Sequence, residues 1–500
     1  MKFNYLLLIV SLLGMSFIIQ SQTQYSAYTA IGKGVATPYL RDYQSLGINN
    51  SALGWGTGYE NKNTVLGMTE FAVGISSPTL DRDRMRNAAQ GLYNNLTSNS
   101  QPEVDWDRQR EAAADYAQSG VAINADYNWF GGYFYNEKFG GVALSIRENY
   151  NWYSRLNDET ADIIFRGKLS NYFDSLQIVI NGDTSMIANN MNIGEDTLNA
   201  VISGRLNNPV LLSELTNGSD INFRWNREYN FGYGRRILGN DSTLAIYGGI
   251  GGRFIQSVAM VDFRSNDDGV EMNSSLSPFF GIDYGAIETT NPSAVLENNG
   301  LFPDISGMGY GLDFAASVIL MKKIRIAASV NNIGSVTYKS NVYSVRDTLF
   351  SEITIPGLND DDITQSLDQI LSTGSIMTLE GREELVLPNA ANFRLGGSID
   401  FIDQVSLGVD IVAPFDRTAP GSLQNAVISV GGDFKPVKWL QLSAGYFGGG
   451  VYRHNIPLGI NFILKDGAYE FGFASRDAFS FFSNNSNALS FAMGFARIRF

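Results

Sequence analysis

Apolar and polar residues alternate one by one along much of this chain. Between Gln404 and Ile411, for example, every second residue is apolar, and the residues between them are Gln, Ser, Gly or Asp. Such a period of two places all the apolar side chains on one face of a β-strand. The same alternation occurs at residues 142–147, 323–330, 394–401, 428–434 and 469–474.

The alternation predicts about 14 to 16 strands, among them 269–282 and 336–348. Two architectures fit this pattern, because the polar face can meet water outside a two-sheet sandwich or line the lumen of a membrane barrel. Three features favour an all-β fold, a transmembrane antiparallel up-and-down β-barrel of about 14 strands, with 16 as the alternative. From about residue 390 the strands follow one another at short spacing. Aromatic residues recur near strand ends, and the chain closes on an alternating strand with Phe500. The aromatic residues of the predicted interfacial girdle are Trp129, Tyr133, Tyr135, Tyr150, Trp152 and Trp439.

The first 21 residues are predicted to be a signal peptide. Lys2 precedes an apolar run from Tyr5 to Ile19, and small polar residues follow near Ser21. This run is short for a membrane-spanning helix. No later apolar run reaches 18 residues, so the mature protein is expected to be either soluble outside the cytoplasm or a barrel in the cell outer membrane.

Four stretches do not alternate. Residues 22–60 are rich in Gly and are predicted to form a hatch inside the barrel mouth, or else a mobile periplasmic tail. The barrel, 61–500, would carry insertions at 81–118, 156–218 and 350–385. The first insertion is expected to hold two short helices, the second a mixture of helix and turn, and the third a helix-like run after Asp360–Asp362. Long insertions of this kind lie on the outside of such barrels.

Composition excludes several function classes. One His and no Cys among 500 residues leave no basis for a Cys nucleophile, a Cys-ligated zinc or a disulfide framework. We therefore expect no enzyme activity, no catalytic residues, no cofactor and no metal site. His454 is expected at a surface turn, and the acidic cluster Asp360–Asp362 as a solvated loop. A net charge of −14 argues against nucleic acid as a partner.

Two glycine-rich or turn-like motifs are interpreted structurally. Gly248–Gly252 lacks the Lys-Ser/Thr of a phosphate loop and lies in a strand pattern, so we expect it to mark a kinked strand. Asn266–Gly269 is expected to be a hairpin turn.

The N-terminal region resembles that of the long-chain fatty-acid transporter (FadL) superfamily. The similarity lies in Ala30–Ala36 and in Asp42–Leu53, where Asn49-Asn-Ser-Ala-Leu replaces the Asn-Pro-Ala-Gly-Leu of that superfamily. Val330–Gly334 and Leu387–Gly397 resemble strand-end motifs of the same group, and the nearest resemblance is to Bacteroidota outer-membrane proteins. This resemblance implies a 14-strand barrel, an N-terminal hatch and sideways exit of hydrophobic molecules through a kinked strand. The hatch candidates are Gly32, Gly34, Asn49 and Asn50.

Two functions remain open. Phe491, Met493 and Phe495 share the face opposite Phe500, so they are predicted to face the lumen, either lining a path for hydrophobic small molecules or packing against the hatch. The alternative is a structural or accessory barrel that binds another envelope or secretion protein through its long loops. Expected partners are outer-membrane lipid, the barrel-assembly machinery through the C-terminal strand and its Phe500 signal, a hydrophobic ligand, and an envelope protein.

Overall fold

A computed structural model of the chain describes residues 27–76, 120–190, 193–298, 300, 302–355, 357, 377–423, 425–449, 452–478 and 488–500. None of the helices within these ranges is long and apolar enough to cross a membrane. The predicted signal peptide, the two helices at 81–118 and the run after Asp360–Asp362 lie outside the described residues.

Fourteen antiparallel strands close on themselves into a barrel, as predicted. Each strand pairs with its two neighbours, and the last strand pairs with the first. Closure leaves no unpaired sheet edge within the barrel wall. In order around the wall, the strands are β1 (Thr64–Ser76), β2 (Val121–Asn136), β3 (Gly140–Arg155), β7 (Asp220–Asn240), β8 (Leu244–Asn266), β10 (Gly307–Leu320), β11 (Ile324–Tyr338), β16 (Asn392–Ile402), β17 (Val405–Pro414), β18 (Val427–Val437), β19 (Leu440–Gly449), β21 (Leu458–Leu464), β22 (Tyr469–Ser475) and β23 (Ala488–Arg499).

The distribution of exposed side chains is the inverse of that in a water-soluble protein. On β17, Val409 is 52% exposed, whereas the neighbouring Asp410 is fully buried. An apolar outside and a polar inside are the arrangement of a barrel that faces lipid. At least one large apolar side chain is exposed on every strand of the wall: Met68, Trp129, Leu144, Phe231, Ile250, Phe314, Ile326, Leu395, Val409, Val430, Tyr446, Ile460, Phe473 and Phe491.

The two ends of the barrel differ. At one end the strands are joined by short turns, such as 241–243 and 403–404. At the other end the connections are long, including 156–219 and 339–391. Short periplasmic turns and long outer loops are typical of outer-membrane barrels.

Two of the predicted barrel strands are not part of the closed ring and instead extend the sheet beyond the end that carries the long connections. The segment β9 (Gly269–Leu276) pairs with β8 and with β12 (Val342–Arg346), which pairs with β14 (Thr378–Gly381). These short pairs account for the two predicted strands at 269–282 and 336–348, and their removal from the ring leaves fourteen. The predicted turn after Asn266 is confirmed, since Asn266 pairs with Gly269 across the hairpin. Two further short strands, β15 (Leu385–Pro388) and β20 (Tyr452–Asn455), pair with β11 and β19.

The insertion after β3 contains a sheet that the sequence analysis missed. Its strands are β4 (Ser175–Ile180), β5 (Asp183–Ala188) and β6 (Val201–Leu211), joined by β13 (Leu349–Ile353) from the later insertion. The prediction of helix and turn alone was therefore wrong, and the alternation of Leu176 and Ile178 with polar neighbours was its overlooked signal. Four helices complete the described chain: α1 (Tyr28–Ile31), α2 (Asp158–Arg166), α3 (Glu195–Asn199) and α4 (Leu212–Thr216). Short 3-10 helices occur at Asp42–Ser45, Asn50–Trp55, Gly167–Leu169, Pro278–Phe280 and Gly285–Thr290.

These long connections share a hydrophobic core, which we call the cap core. It packs Ile163 and Ile164 of α2 against Phe350 of β13 and against Phe263 on the upper part of β8. Burial of this many apolar side chains gives the loops a fixed shape, because each buried group stabilises the packed arrangement by about 1.5–3 kcal/mol. Trp152 also belongs to this core, so it does not join the predicted aromatic girdle. Trp129 and Trp439 are exposed, as a girdle requires.

The last strand changes face part-way along. Ala492 and Gly494 face inward, whereas Ile498 and Phe500 are exposed and Arg497 and Arg499 are buried inside. The pairing with β1 skips Thr69 and Phe495 without a change of register, whereas the pairing with β22 shifts register between Glu470–Arg497 and Gly472–Gly494. The structure therefore places Phe491, Met493 and Phe495 on the outward face, opposite to the prediction. A β-bulge reverses the alternation. The outward direction of Phe500 therefore does not predict the direction of the residues that precede the bulge.

Candidate functional site in the barrel lumen

Residues 27–60, called the lumen segment below, lie inside the barrel. The segment contacts all fourteen strands of the wall, which is geometrically feasible only from within a closed ring. The contacts are made by Tyr28 on β22 and β23, Gly32 on β21, Lys33 on β18 and β19, Thr37 on β16, Tyr39 on β17, Tyr43 on β1 and β2, Ile48 on β11, Asn50 on β7 and β8, Ser51 on β10, and Leu53 on β3.

Glycines on the inner wall make room for this segment. Gly431 and Gly445 face each other on β18 and β19, and a Cβ on either would overlap the carbonyl oxygen of Lys33. Because real Cβ atoms do not approach other atoms so closely, any larger residue there must displace the segment or the wall. The same holds for further inner glycines on the other strands: Gly67, Gly131, Gly141, Gly232, Gly234, Gly249, Gly251, Gly396, Gly408, Gly459, Gly472 and Gly494.

A buried hydrogen-bond cluster joins the segment to β1. Tyr43 donates its hydroxyl to the Glu70 carboxylate at 2.6 Å, and the Gln44 amide donates to the same oxygen at 2.9 Å. Burial, reinforced by the Glu70 charge, raises the pKa of the Tyr43 phenol, which keeps it protonated as a donor. The cluster is thus a pair of directed contacts rather than loose packing.

An ion-pair network joins the segment to the closing strands. Asp42 is fully buried and pairs with Arg497 of β23. Arg497 also contacts Glu470 of β22 at 3.2 Å, and Glu470 pairs in addition with Arg499. Because buried charges are costly without partners, each member of the network depends on the others.

Further polar contacts join the segment to the opposite side of the wall. The Asp410 carboxylate accepts hydrogen bonds from the backbone amides of Ala36 and Thr37, each at 3.0 Å. Lys33 pairs with Asp433 at 2.5 Å. Noncovalent contacts of this type therefore hold the segment at many points on the wall.

The four predicted hatch residues all lie in the lumen segment. The backbone of Gly32 approaches Gly459, and Gly34 adopts a left-handed conformation (φ 71°) beside Phe447. Asn49 donates to the carbonyl oxygen of Thr37 at 2.9 Å and accepts from Ser51 at 2.5 Å. Their role as a hatch is taken up below as a proposal.

Asn50 differs from its neighbour Asn49. Its side chain is fully buried against Gly251 and Gly232 of the wall. Within the described part of the chain, neither its Oδ1 nor its Nδ2 has a hydrogen-bond partner. A buried amide without partners costs about 1–3 kcal/mol, so this position weakens the seating of the segment.

A polar cavity of about 380 Å³ lies between the lumen segment and the short turns. Tyr39 and Tyr59 of the segment line it together with Gln404 of the β16–β17 turn. Charged side chains dominate its walls, namely Lys33, Arg41, Arg325, Lys435, Arg497 and Arg499 with Asp400, Asp403, Asp433 and Glu470. Such a lining is unfavourable for an apolar solute, because the charges would lose hydration as the solute enters.

One line across the wall interrupts the strand pairing. Thr69 of β1 has φ 57°, and the pairing skips it on both sides, opposite Trp129 of β2 and Phe495 of β23. The register of β2 with β3 also shifts next to Trp129, and that of β22 with β23 shifts after Glu470. We call this line the bulged seam.

The expected kink at Gly248–Gly252 is not found. The pairing of this stretch with β7 and with β10 continues without a register shift. The glycines of this stretch instead make room for the lumen segment, because Gly249 and Gly251 adjoin Asn50. His454 is exposed and contacts Tyr446, consistent with its expected surface position.

A family model described as a family of unknown function (DUF5723) matches residues 184–466, more than half of the chain. The chain belongs to the DUF5723 family. No curated protein matches this DUF5723 chain.

Among solved structures, the DUF5723 chain is similar to a TodX deltaS2S3 mutant monoaromatic hydrocarbon channel, with 10% identity, a TM-score of 0.44, and coverage of 94% of this chain and 97% of that chain. It is similar to the CymD monoaromatic hydrocarbon channel, with 9% identity, a TM-score of 0.42, and coverage of 95% and 97%. It is also similar to a Pseudomonas aeruginosa FadL homologue, with 10% identity, a TM-score of 0.39, and coverage of 96% and 97%.

The sequence analysis missed Glu70 and Arg497, two of the wall residues that hold the segment. Each occupies a single polar position within a strand, which has the same pattern as any lumen-facing residue. A partial signal existed, since a charged residue inside a membrane strand is costly without a partner.

Proposed function

We propose that this protein is an outer-membrane barrel for passive uptake of hydrophobic small molecules, with the lumen segment acting as its hatch. The observation that carries the proposal is the occlusion of a fourteen-strand lumen by a segment that contacts every strand. About eight strands already give a barrel that its own side chains can fill. A wider barrel closed by a removable segment is what a gated passage requires.

The route of an apolar solute follows from the polarity of the lumen. The charged cavity below the lumen segment disfavours axial exit to the short-turn side. The bulged seam offers a sideways route, because the ladder is already interrupted at Thr69 and its outer side carries Trp129 and Phe495. The resemblance at Ala30–Ala36 and Asp42–Leu53 supports the same route. Delivery to the membrane by the N-terminal signal and assembly through the C-terminal strand belong to this proposal.

A reversible disulfide tests whether the lumen segment must move. The hydroxyls of Ser51 and Ser317 are 2.7 Å apart, and the chain has no native Cys to interfere. The double variant Ser51→Cys/Ser317→Cys should therefore close a bond between segment and wall under oxidation. We expect oxidised cells to stop taking up a fluorescent alkane-like probe and reduced cells to recover.

The single variants Ser51→Cys and Ser317→Cys are the matched controls, since neither can form the bond. Uptake that persists at the wild-type rate in the oxidised double variant would refute movement of the segment at Ser51. Uptake that is absent even from wild-type cells would refute the transport function.

The cap, formed by the long connections that share the cap core, supports a second function, a barrel that binds another envelope or secretion protein. Its small sheet ends on β5, an edge strand whose residues are mostly exposed, and Ile180, Met186 and Ile202 of this sheet are exposed. An exposed edge with apolar side chains is a surface on which a partner chain can add a strand.

The two functions respond differently to the same change. Met186→Glu combined with Ile202→Glu should abolish co-purification of a partner and leave probe uptake unchanged if the cap binds a protein. Unchanged co-purification would exclude this surface as the docking site. Leu349→Glu, on the opposite edge strand β13, is the control for altered surface charge, because Leu349 is also exposed.

A further inference from the structure

A recess on the outer face of the barrel is distinct from the lumen. It has a volume of about 670 Å³ and crosses β1, β2, β3, β7 and β8 near the short-turn end. Its walls are the exposed apolar side chains of Phe134, Leu144, Phe231 and Ile250. A surface of this kind inside the membrane contacts lipid tails.

Two outward glycines create the recess. A Cβ on Gly132 would lie in ordinary contact with Phe130 and Leu144, and a Cβ on Gly252 would meet no atom closer than 3.8 Å. Both positions therefore have room for a side chain. The strand pairing beneath them is continuous, so the recess is a groove in the surface and not an opening into the lumen.

The dimensions suit an extended chain. The groove spans four residues along β2 and five neighbouring strands, or about 13 Å by about 19 Å from standard strand spacings. Because barrel strands tilt by roughly 35–45°, its diagonal can follow the membrane normal.

Cationic groups stand at the short-turn end of the groove. Arg235 follows Tyr233 by two residues on the same outward face, about 7 Å further along β7. Its side chain is exposed and donates to the carbonyl oxygen of Arg236 at 3.4 Å. Lys138 is exposed in the adjoining turn, next to the acidic Glu137. The ring of Tyr233 packs on Phe139 at 5.2 Å, as aromatic residues do at the membrane surface.

We propose that this groove binds one phospholipid of the short-turn leaflet, with an acyl chain over Gly132 and Gly252 and the phosphate at Arg235. Apolar walls take the chain, and a guanidinium two residues beyond them matches the position and charge of the phosphate. The proposal rests on the membrane embedding given above but not on transport.

Native mass spectrometry of the full-length protein, extracted gently from its membrane, tests the site. Wild type should retain one phospholipid mass. Gly132→Leu and Gly252→Leu fill the groove and should each lower the retained fraction about tenfold. Arg235→Gln should lower retention of phospholipid while a neutral diacylglycerol of the same chain length still binds.

Gly397→Leu is the matched control, because a Cβ on the outward-facing Gly397 would also meet no atom closer than 3.8 Å, and β16 lies three strands beyond the groove. Equal lipid retention in Gly397→Leu, Gly132→Leu and Gly252→Leu would overturn the proposal, since the lipid would then be a general coat. A second measurement, gel migration with and without heating, separates lost binding from failed folding. Absence of the wild-type protein from the membrane fraction would instead contradict the membrane embedding. If the wild-type protein retains the lipid but takes up no hydrophobic probe, only the transport function is contradicted.

Discussion

Arg497 of the last barrel strand forms an ion pair with Asp42 of the lumen segment, 455 positions earlier in the chain. The same guanidinium contacts Glu470 on the neighbouring strand at 3.2 Å. One side chain thus joins the segment, β22 and β23. Closure of the barrel and seating of the segment are coupled at this point.

Arg497→Gln should release the lumen segment. The substitution leaves Asp42 buried without its partner, and removal of one member of a buried pair costs about 3–5 kcal/mol. We expect faster trypsin cleavage at Lys33 and Arg41 and a lower midpoint of thermal unfolding.

Lys339→Gln is the control for loss of a cation. Lys339 pairs with Glu384 at 3.2 Å, but both side chains are more than half exposed, and such a pair contributes about 0–1 kcal/mol. If trypsin cleaves the lumen segment at the same rate in Arg497→Gln and Lys339→Gln, the coupling at Arg497 is absent.

Gly431→Val should displace the segment by steric overlap. Its side chain would occupy the space of the Lys33 carbonyl, and overpacking of this kind costs about 1–3 kcal/mol or more. The barrel should still assemble, and the segment should become accessible to protease. Gly397→Val adds the same side chain on the outward face, where there is room, and should leave the segment protected. Protection in both variants would mean that the inner glycines are not required for seating.

Asn50→Leu should tighten the seating of the segment. It removes a buried amide that lacks hydrogen-bond partners within the described residues, a gain of about 1–3 kcal/mol. We expect a higher unfolding midpoint and slower uptake of the hydrophobic probe. Asn49→Leu should have the opposite effect on stability, because Asn49 bonds to Thr37 and Ser51. Destabilisation by Asn50→Leu would show that its amide is satisfied.

Deletion of Phe500 should impair closure of the barrel. Its carbonyl oxygen accepts from the amides of Asn63 and Thr64, each at 2.9 Å, and its own amide donates to Thr64 at 3.1 Å. We expect less of the fast-migrating unheated form on a gel, with Phe500→Tyr as a control that keeps the backbone contacts. If wild type and the protein without Phe500 give equal amounts of the folded form, these contacts are not required for closure.

Local pattern was enough to determine the class of fold. The alternation around Leu407 and Val409 predicts strands without knowledge of their partners, because a period of two is a property of one strand alone. Residues 22–60 stand out by lack of alternation, and Asn266–Gly269 by its turn chemistry. The strand at Leu176, in the insertion after Arg155, was missed because it is short.

The face that each side chain occupies and the residues that it contacts depended on the tertiary structure. The face of Phe491 could not be predicted from Phe500, because a bulge between them in the pairing of β22 with β23 reverses the alternation. Gly131 and Gly132 are adjacent in sequence, yet one adjoins Tyr43 inside the barrel and the other forms part of a groove outside. The partner of Asp42 is 455 positions away. Strand pattern is a local property, so the sequence alone determined it, whereas inside and outside are defined only once the wall has closed around the lumen segment.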